Sequence, residues 1–488
     1  MYKMELLREI LHFIFYSYTM AVVFHIGLAV CVTVHVLLYK TNVYSSIGWI
    51  GLAWFSPVFG GIIYIIFGIN RIRMKAAELK ENNGKASFKM VSEKELKEYL
   101  KTIPDYIVPL ARLGLHVHPV REVSGNNIEL LINGDQAYPE MAGAISKAKK
   151  DVLLSSYIFD YDNAGKIFVD AIKKACSNGA KIYILIDAVG NSKYNSKLGR
   201  IFKKLKNVNF VKFLPPNIPI SLPFINLRTH RKILIVDGNT AFFGGMNIRG
   251  KCMLKDNPKN PTRDITFKVS GPVIDQIREI FVEDWYFSAK QNIRPSYYDE
   301  KANPSFAAYA RVIPDGPESE EEKIMTVCLA GLNYANKKIN IITPYFLPTE
   351  IILKAIEMAA MRGVEVNIIL PRSSNHKIIE WGGEANYARL LKHNVNIYLT
   401  GAPFDHSKAM TVDGVWSFIG SSNWDERSFK LNFEANMEVV CYKLAKQIDD
   451  YLKDRINNAE KIKFTDYDKM PLLRKLRNNA CRLATPYF

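Results

Sequence analysis

Residues 230–247 read HRKILIVDGNTAFFGGMN, and residues 406–423 read HSKAMTVDGVWSFIGSSN. In both, Lys follows the His by two positions, Asp by seven and Asn by seventeen: His230, Lys232, Asp237 and Asn247, then His406, Lys408, Asp413 and Asn423. With nine histidines in the chain, two accidental copies of so long a pattern are improbable. Side chains two apart on a strand face the same way, so each His and Lys can address one point, while the apolar run behind them buries the strand in a sheet. Asp-Gly suits the hairpin turn that carries Asn back beside His. Asp237 and Asp413 therefore read first as turn residues, with membership of the reacting set as the alternative.

The repetition extends outward. Ala148-Lys149-Lys150-Asp151 precedes the strand Val152-Leu153-Leu154, which ends at Tyr157-Ile158-Phe159; Ala335-Asn336-Lys337-Lys338 precedes Ile339-Asn340-Ile341-Ile342, which ends at Pro344-Tyr345-Phe346. Helix-period stretches follow (167–176 and 351–361), then a stop glycine, Gly179 or Gly363, then a second buried strand (181–187 and 365–370). Strand, helix, strand with a glycine stop is a βαβ unit, present twice. The expected fold class is α/β, with two similar lobes of mixed sheet flanked by helices at 126–290 and 318–488, the second with a basic tail. Residues 291–317, with scattered Pro, Asn and Asp, read as a linker.

Two His, two Lys and two Asn fit a phosphodiester. Ammonium groups neutralise non-bridging oxygens and amides donate to them, which assigns Lys232, Lys408, Asn247 and Asn423 to phosphate. One imidazole, neutral, can attack phosphorus, while the other, protonated, donates to the leaving alkoxide. Different protonation states need different surroundings, and carboxylates could supply them; the candidates for orienting the rings are Asp264 and Glu434. The near symmetry leaves open which His attacks.

These residues resemble the phospholipase D superfamily, with its duplicated H-x-K-x4-D element, and within it the bacterial cardiolipin synthases. The resemblance runs from about Val43 to the end, through Pro57-Val58-Phe59-Gly60, Leu227-Arg228-Thr229, Asn423-Trp424-Asp425-Glu426-Arg427-Ser428-Phe429 and Asn432-Phe433-Glu434. It implies two phospholipase D-like lobes that move a phosphatidyl group from one phosphatidylglycerol to another, giving cardiolipin and glycerol through a phosphohistidine, with no metal or other cofactor. It also implies His230 as nucleophile and His406 as general acid/base, with Lys232, Lys408, Asp237 and Asp413 in the catalytic element. The chain departs from the family at Thr262, where a Trp is expected, and in the Lys-, Asn- and Pro-rich stretch 254–261, a loop that bears on headgroup access. The alternatives are hydrolysis of phospholipid or nucleic acid, and a non-catalytic scaffold that binds anionic lipid.

Sixty-five Lys plus Arg against 48 Asp plus Glu give a net charge of +17, which favours a polyanionic partner. The first seventy residues choose a membrane over nucleic acid. No Asp, Glu, Lys or Arg lies between Glu9 and Lys40, nor between Lys40 and Arg71, so a transmembrane hairpin of two helices is expected over 1–70. Its exit into Arg71, Arg73 and Lys75 predicts a multi-pass anchor in the cell membrane with the lobes cytoplasmic. A signal peptide fits poorly with so long an apolar run, and His12, His25 and His35 read as helix-packing or interfacial residues. Residues 71–125 read as a charged connector. Six dispersed cysteines with no C-x-x-C read as reduced thiols. His116 and His118, two apart on an expected strand, read as packing residues, and His376 and His393 show no partner pattern. Two further segments raise membrane contact: the apolar Pro-rich stretch 215–224 and the basic, amphipathic run Leu472-Leu473-Arg474-Lys475-Leu476-Arg477.

Overall fold

A computed structural model of the chain describes residues 2–40, 42–56, 58–68, 101, 105, 108–190, 192–215, 227–299, 308–317 and 322–483. The basic cluster at 71–75, the charged run to residue 100, most of the 215–224 stretch and the tail 484–488 lie outside the described residues. The chain divides into two units, Met1–Lys75 and Ala76–Phe488.

In the first unit, helix Tyr2–Tyr39 includes an apolar span, Tyr16–Tyr39, of 24 residues, long enough to cross a bilayer core. The second apolar stretch differs from the expected second crossing helix. It forms two short helices, Val43–Phe55 and Phe59–Ile63, the latter running on as a π-helical turn to Gly68. The rings of Trp49 and Tyr64 are 5.3 Å apart, whereas one continuous helix would separate these positions by about 22 Å. A methyl on Gly60 would overlap the Leu52 carbonyl, so the second arm folds back on the first. Both arms also pack on the long helix, Trp54 donating to Thr33 at 3.0 Å and Tyr64 meeting His35 Nδ1 at 2.7 Å. The break follows from sequence: proline at 57 disfavours a continuing helix, Val58 sits at φ 60°, and Gly60 and Gly61 let the arms close. His25 and His35 serve this packing, His25 Nε2 lying 3.2 Å from the Trp54 carbonyl.

In the second unit one continuous sheet of 15 strands runs through both lobes. Each lobe contributes seven strands in the same spatial order, and Ala459–Lys461 adds an outer edge. The expected βαβ units are present: Asp151–Ser156 runs parallel to Lys181–Asp187 around helix Asn163–Ser177, and Lys338–Ile342 parallel to Glu365–Pro371 around helix Glu350–Met361. Gly179 and Gly363 follow those helices at φ 89° and 86°, a conformation that glycine adopts without steric cost. Next to them lie the antiparallel hairpins Lys232–Val236/Thr240–Gly244 and Ala409–Val412/Trp416–Gly420, whose strands are almost wholly buried.

The lobes join where strand Val123–Ile132 pairs antiparallel with Ala308–Asp315. Residues 308–315, read from sequence as linker, are thus the second lobe's counterpart of Val123–Ile132. Helix Val108–Val117, read as connector, sends Leu110, Ala111, Leu115 and Val117 into the second lobe's core, and His116 lies on it rather than on a strand. Its Gly114 leaves room for the buried guanidinium of Arg311, which pairs with Glu438 and lies 3.7 Å from Glu122. The helix itself carries one Lys, Arg, Asp or Glu, Arg112; the Lys- and Glu-rich run before it set the reading of the whole segment. All six cysteines are unpaired thiols.

Candidate active site

At the Asp-Gly turns, Asp237 and Asp413 sit at φ 52° and 53° and the following glycines at 74° and 68°. The Asp237 carboxylate accepts from the backbone N–H groups of Lys149, Lys150 and Asp151 at 2.8–3.2 Å, and Asp413 accepts from Asn336, Lys337 and Lys338 at 2.8–2.9 Å. These are the residues of the Ala-Lys-Lys-Asp echo, so the motif's Asp ties its hairpin to the neighbouring strand. Neither Asp lines the cavity, which corrects their inclusion among candidate catalytic residues: each turn lies at the far end of a strand from the His.

At the opposite strand ends the two lobes interlock. The backbone N–H of His230 donates to Phe433 O and that of Phe433 to Arg228 O, both at 2.9 Å. In the other half, Phe404–Asp405 pairs in parallel with Thr262–Arg263, and His406 N–H donates to Arg263 O at 2.8 Å. Each His is thereby laid beside the carboxylate of the other lobe. His230 Nδ1 is 3.1 Å from Glu434 Oε1, and His406 Nδ1 is 2.8 Å from Asp264 Oδ2. Both carboxylates are buried and engage Nδ1 of their rings; on His406, Lys408 Nζ lies 3.2 Å from Nε2.

One cavity of about 870 Å³ is lined by His230, Lys232, Asn247, Asp264, His406, Lys408 and Asn423 together; Glu434 stands behind His230. Lys232 and Lys408 each donate to the carbonyl of the His two residues before, which curls both ammoniums toward the rings. Asn247 Oδ1 accepts from Ile158 N–H at 3.0 Å, so its NH2 is left for a ligand. Asn423 Nδ2 donates to Ser428 Oγ at 3.2 Å, which uses one of its two N–H donors.

Burial sets the charge states. It pushes Lys232 and Lys408 down to about 8 despite the carboxylates nearby. Burial, reinforced by Lys408, brings His406 down to about 4 against the pull of Asp264. His230 is also lowered by burial, opposed by Glu434. Burial works to raise the Glu434 carboxyl, but His230, Lys232 and the Ser421 hydroxyl together bring it below the usual range. The sequence reading expected one charged and one neutral ring; the fold biases both to neutral, because desolvation acts on both and outweighs each carboxylate.

Sequence reasoning missed several cavity residues. Tyr157 packs on His230 with ring centroids 4.5 Å apart, and Tyr345 stands edge-on to His406 at 6.2 Å. Their equivalent places after the two echoed strands were the available signal. His376, which had no pattern, faces Tyr345 at 5.3 Å. Arg249, Arg372 and Arg427 also line the cavity, as do Asn260, Pro261 and Thr262 of the divergent loop.

The profile of the family described as cardiolipin synthase, PLD-like domain matches residues 141–285 and 329–456. These segments include both His-Lys elements and make up more than half of the chain. The chain belongs to this family. A cardiolipin synthase of Clostridium perfringens (strain SM101 / Type A) is 29% identical over 453 residues, spanning 92% of this chain and 95% of the relative. The major cardiolipin synthase ClsA of Bacillus subtilis (strain 168) is 28% identical over 458 residues, 91% of this chain and 93% of that one. Among solved structures, phosphatidylserine synthase from Haemophilus influenzae Rd KW20 superimposes with a TM-score of 0.61 at 15% identity, covering 78% of this chain and all of that one. That likeness shows the fold alone.

Proposed function

We propose that this protein is a phosphatidyltransferase that joins two phosphatidylglycerol molecules into cardiolipin and releases glycerol. The observation that carries the reading is the crossed arrangement: two His, each backed by the other lobe's carboxylate, open with two Lys onto one cavity. The long similarity to cardiolipin synthases supports the choice of lipid.

His230 Nε2 attacks phosphorus; the bond from phosphorus to the glycerol oxygen breaks, and His406 gives that oxygen a proton. His406 then takes the proton from the terminal hydroxyl of a second phosphatidylglycerol, whose oxygen displaces His230 from phosphorus. Neutral imidazole suits the attack. The acid needs a proton, and an anionic phosphodiester between the rings raises the pKa of both, so the proton is taken up with the substrate. Lys232, Lys408, Asn247 and Asn423 hold the non-bridging oxygens.

The anchor supports a membrane location. Helix 16–39 crosses once in this reading, while the folded-back arms enter and leave from one face. The arginines at 71 and 73 and the lysine at 75 assign that face to the cytoplasm, with residues before Tyr16 on the opposite side. Reporters fused before residue 16 and after residue 75 test this; both on one side would restore the two-crossing hairpin.

Purified protein incubated with labelled phosphatidylglycerol is expected to yield cardiolipin and glycerol in equal amounts. Phosphatidic acid instead would mean hydrolysis, and absence of turnover a scaffold. With the phosphorus of phosphatidylglycerol labelled, wild type denatured in detergent at alkaline pH, where a P–N bond survives, is expected to carry label on histidine and the His230→Ala variant none; label retained on that variant would move the nucleophile to His406.

A further inference from the structure

Helix Leu472–Leu483 is amphipathic in the reverse of the usual sense. Leu472, Leu473, Leu476 and Leu483 are 70%, 81%, 57% and 77% exposed, and at 100° per residue they fall within one stripe about 100° wide. The opposite, packed side is polar. Asn478 is buried and donates to Glu384 Oε2 at 2.7 Å, Arg474 ion-pairs with Glu384, and the Arg477 guanidinium lies 4.2 Å above the Trp381 ring. Ordinary surface helices bury their leucines. Here hydrogen bonds and ion pairs hold the helix to helix Lys377–Glu384, and the leucines face outward.

We infer that this leucine face enters the interfacial layer of an anionic bilayer and sets the cavity mouth against it. Charge agrees with that partner: the helix carries Arg474, Lys475, Arg477 and Arg482 and no carboxylate, and although Arg474 and Arg477 approach Glu384 and Arg482 approaches Glu350, the cations outnumber those two acids, which matches acidic headgroups flanking an apolar insertion. A second copy of the chain would bring the same cations and repel. Position agrees with charge. The supporting helix Lys377–Glu384 contributes Ile379 to the cavity wall, and His376 just before it lines the same wall, so a bilayer on the leucines lies one helix away from the reacting groups. The inference rests on the lipid-transfer reading for why the mouth must meet a bilayer, but not for the binding itself.

The test uses the full chain in nanodiscs of phosphatidylcholine with phosphatidylglycerol. A photo-crosslinking amino acid is placed at position 473 or 476, or at exposed position 297, which abuts the Gly238 turn at the far end of the sheet strand from His230. Lipid adducts at 473 and 476 are expected to exceed those at 297 by about tenfold, and to fall in discs of phosphatidylcholine alone. Equal adducts at all positions, or adducts to protein at 473 and 476, overturn the inference. Combining Leu472→Ser, Leu473→Ser and Leu476→Ser should slow turnover of bilayer phosphatidylglycerol about tenfold and leave the rate on dispersed short-chain phosphatidylglycerol unchanged; equal loss on both substrates, or no loss, overturns it. Crosslinking needs no turnover, so a chain that made no cardiolipin would sink the catalytic reading and leave this result to stand alone.

Discussion

At the scale of single residues, burial decides most of the chemistry. Lys232 and Lys408, ordinarily charged to above pH 10, are held near 8 by desolvation. A lysine with a lowered pKa keeps its charge below that value and loses it as pH rises through it. Because kcat/KM reports the free enzyme, it should decline above about pH 8 as the phosphate-holding charges disappear; a profile flat to pH 10 would remove both lysines from phosphate binding. The ring-orienting carboxylates make a second prediction. Asp264→Asn keeps the shape but not the charge beside His406, and kcat should fall by about 10²-fold or more, with KM changed little. A loss confined to KM would make Asp264 a binding residue. The two His, two Lys and two Asn of the cavity were legible in the spacing of two 18-residue stretches. Their charge states were not, since desolvation depends on what the fold stacks over each group.

At the scale of elements, the third member of each repeat is a structural clamp. Asp413 accepts three backbone N–H groups that begin the strand Lys338–Ile342, and Asp237 does the same in the first lobe. Asp413→Ala should lower the free energy of unfolding by about 2 kcal/mol, since a hydrogen bond to a charged group contributes roughly 1.5–3 kcal/mol net and solvent screening reduces each of the three at this partly exposed turn. Denaturant titration measures it, and the folded fraction should keep its kcat; a fall in kcat with stability unchanged would return the Asp to the reacting set. Asp-Gly pointed to the turn from sequence. The three recipients of the carboxylate did not show, because they lie 75–77 residues away. The second apolar stretch makes the same point: its composition permitted a crossing helix, and the fold-back emerged from contacts of Gly60 and Tyr64 that no periodicity records.

At the scale of the whole molecule, the two lobes share one sheet and one buried charge cluster at their seam. Arg311 is wholly buried between Glu438, whose carboxyl burial pushes up, and Glu122. Arg311→Met would leave two buried carboxyls without their cation, and stability should drop by about 3–5 kcal/mol. Calorimetry should show both lobes melting earlier together; a single lobe melting early would mean that the seam does not couple them.

By itself, the sequence determined the α/β class, the duplication and the family, because local periodicity and residue spacing survive in one dimension. The crossing of carboxylates between lobes was decided only by tertiary structure: Asp264 and His406 are 142 residues apart, and no local rule pairs one repeat's acid with the other's base. Which groups lose water on folding, and which leucines keep it, are likewise properties of packed surfaces, since a side chain's solvation is set by neighbours that the chain brings from elsewhere.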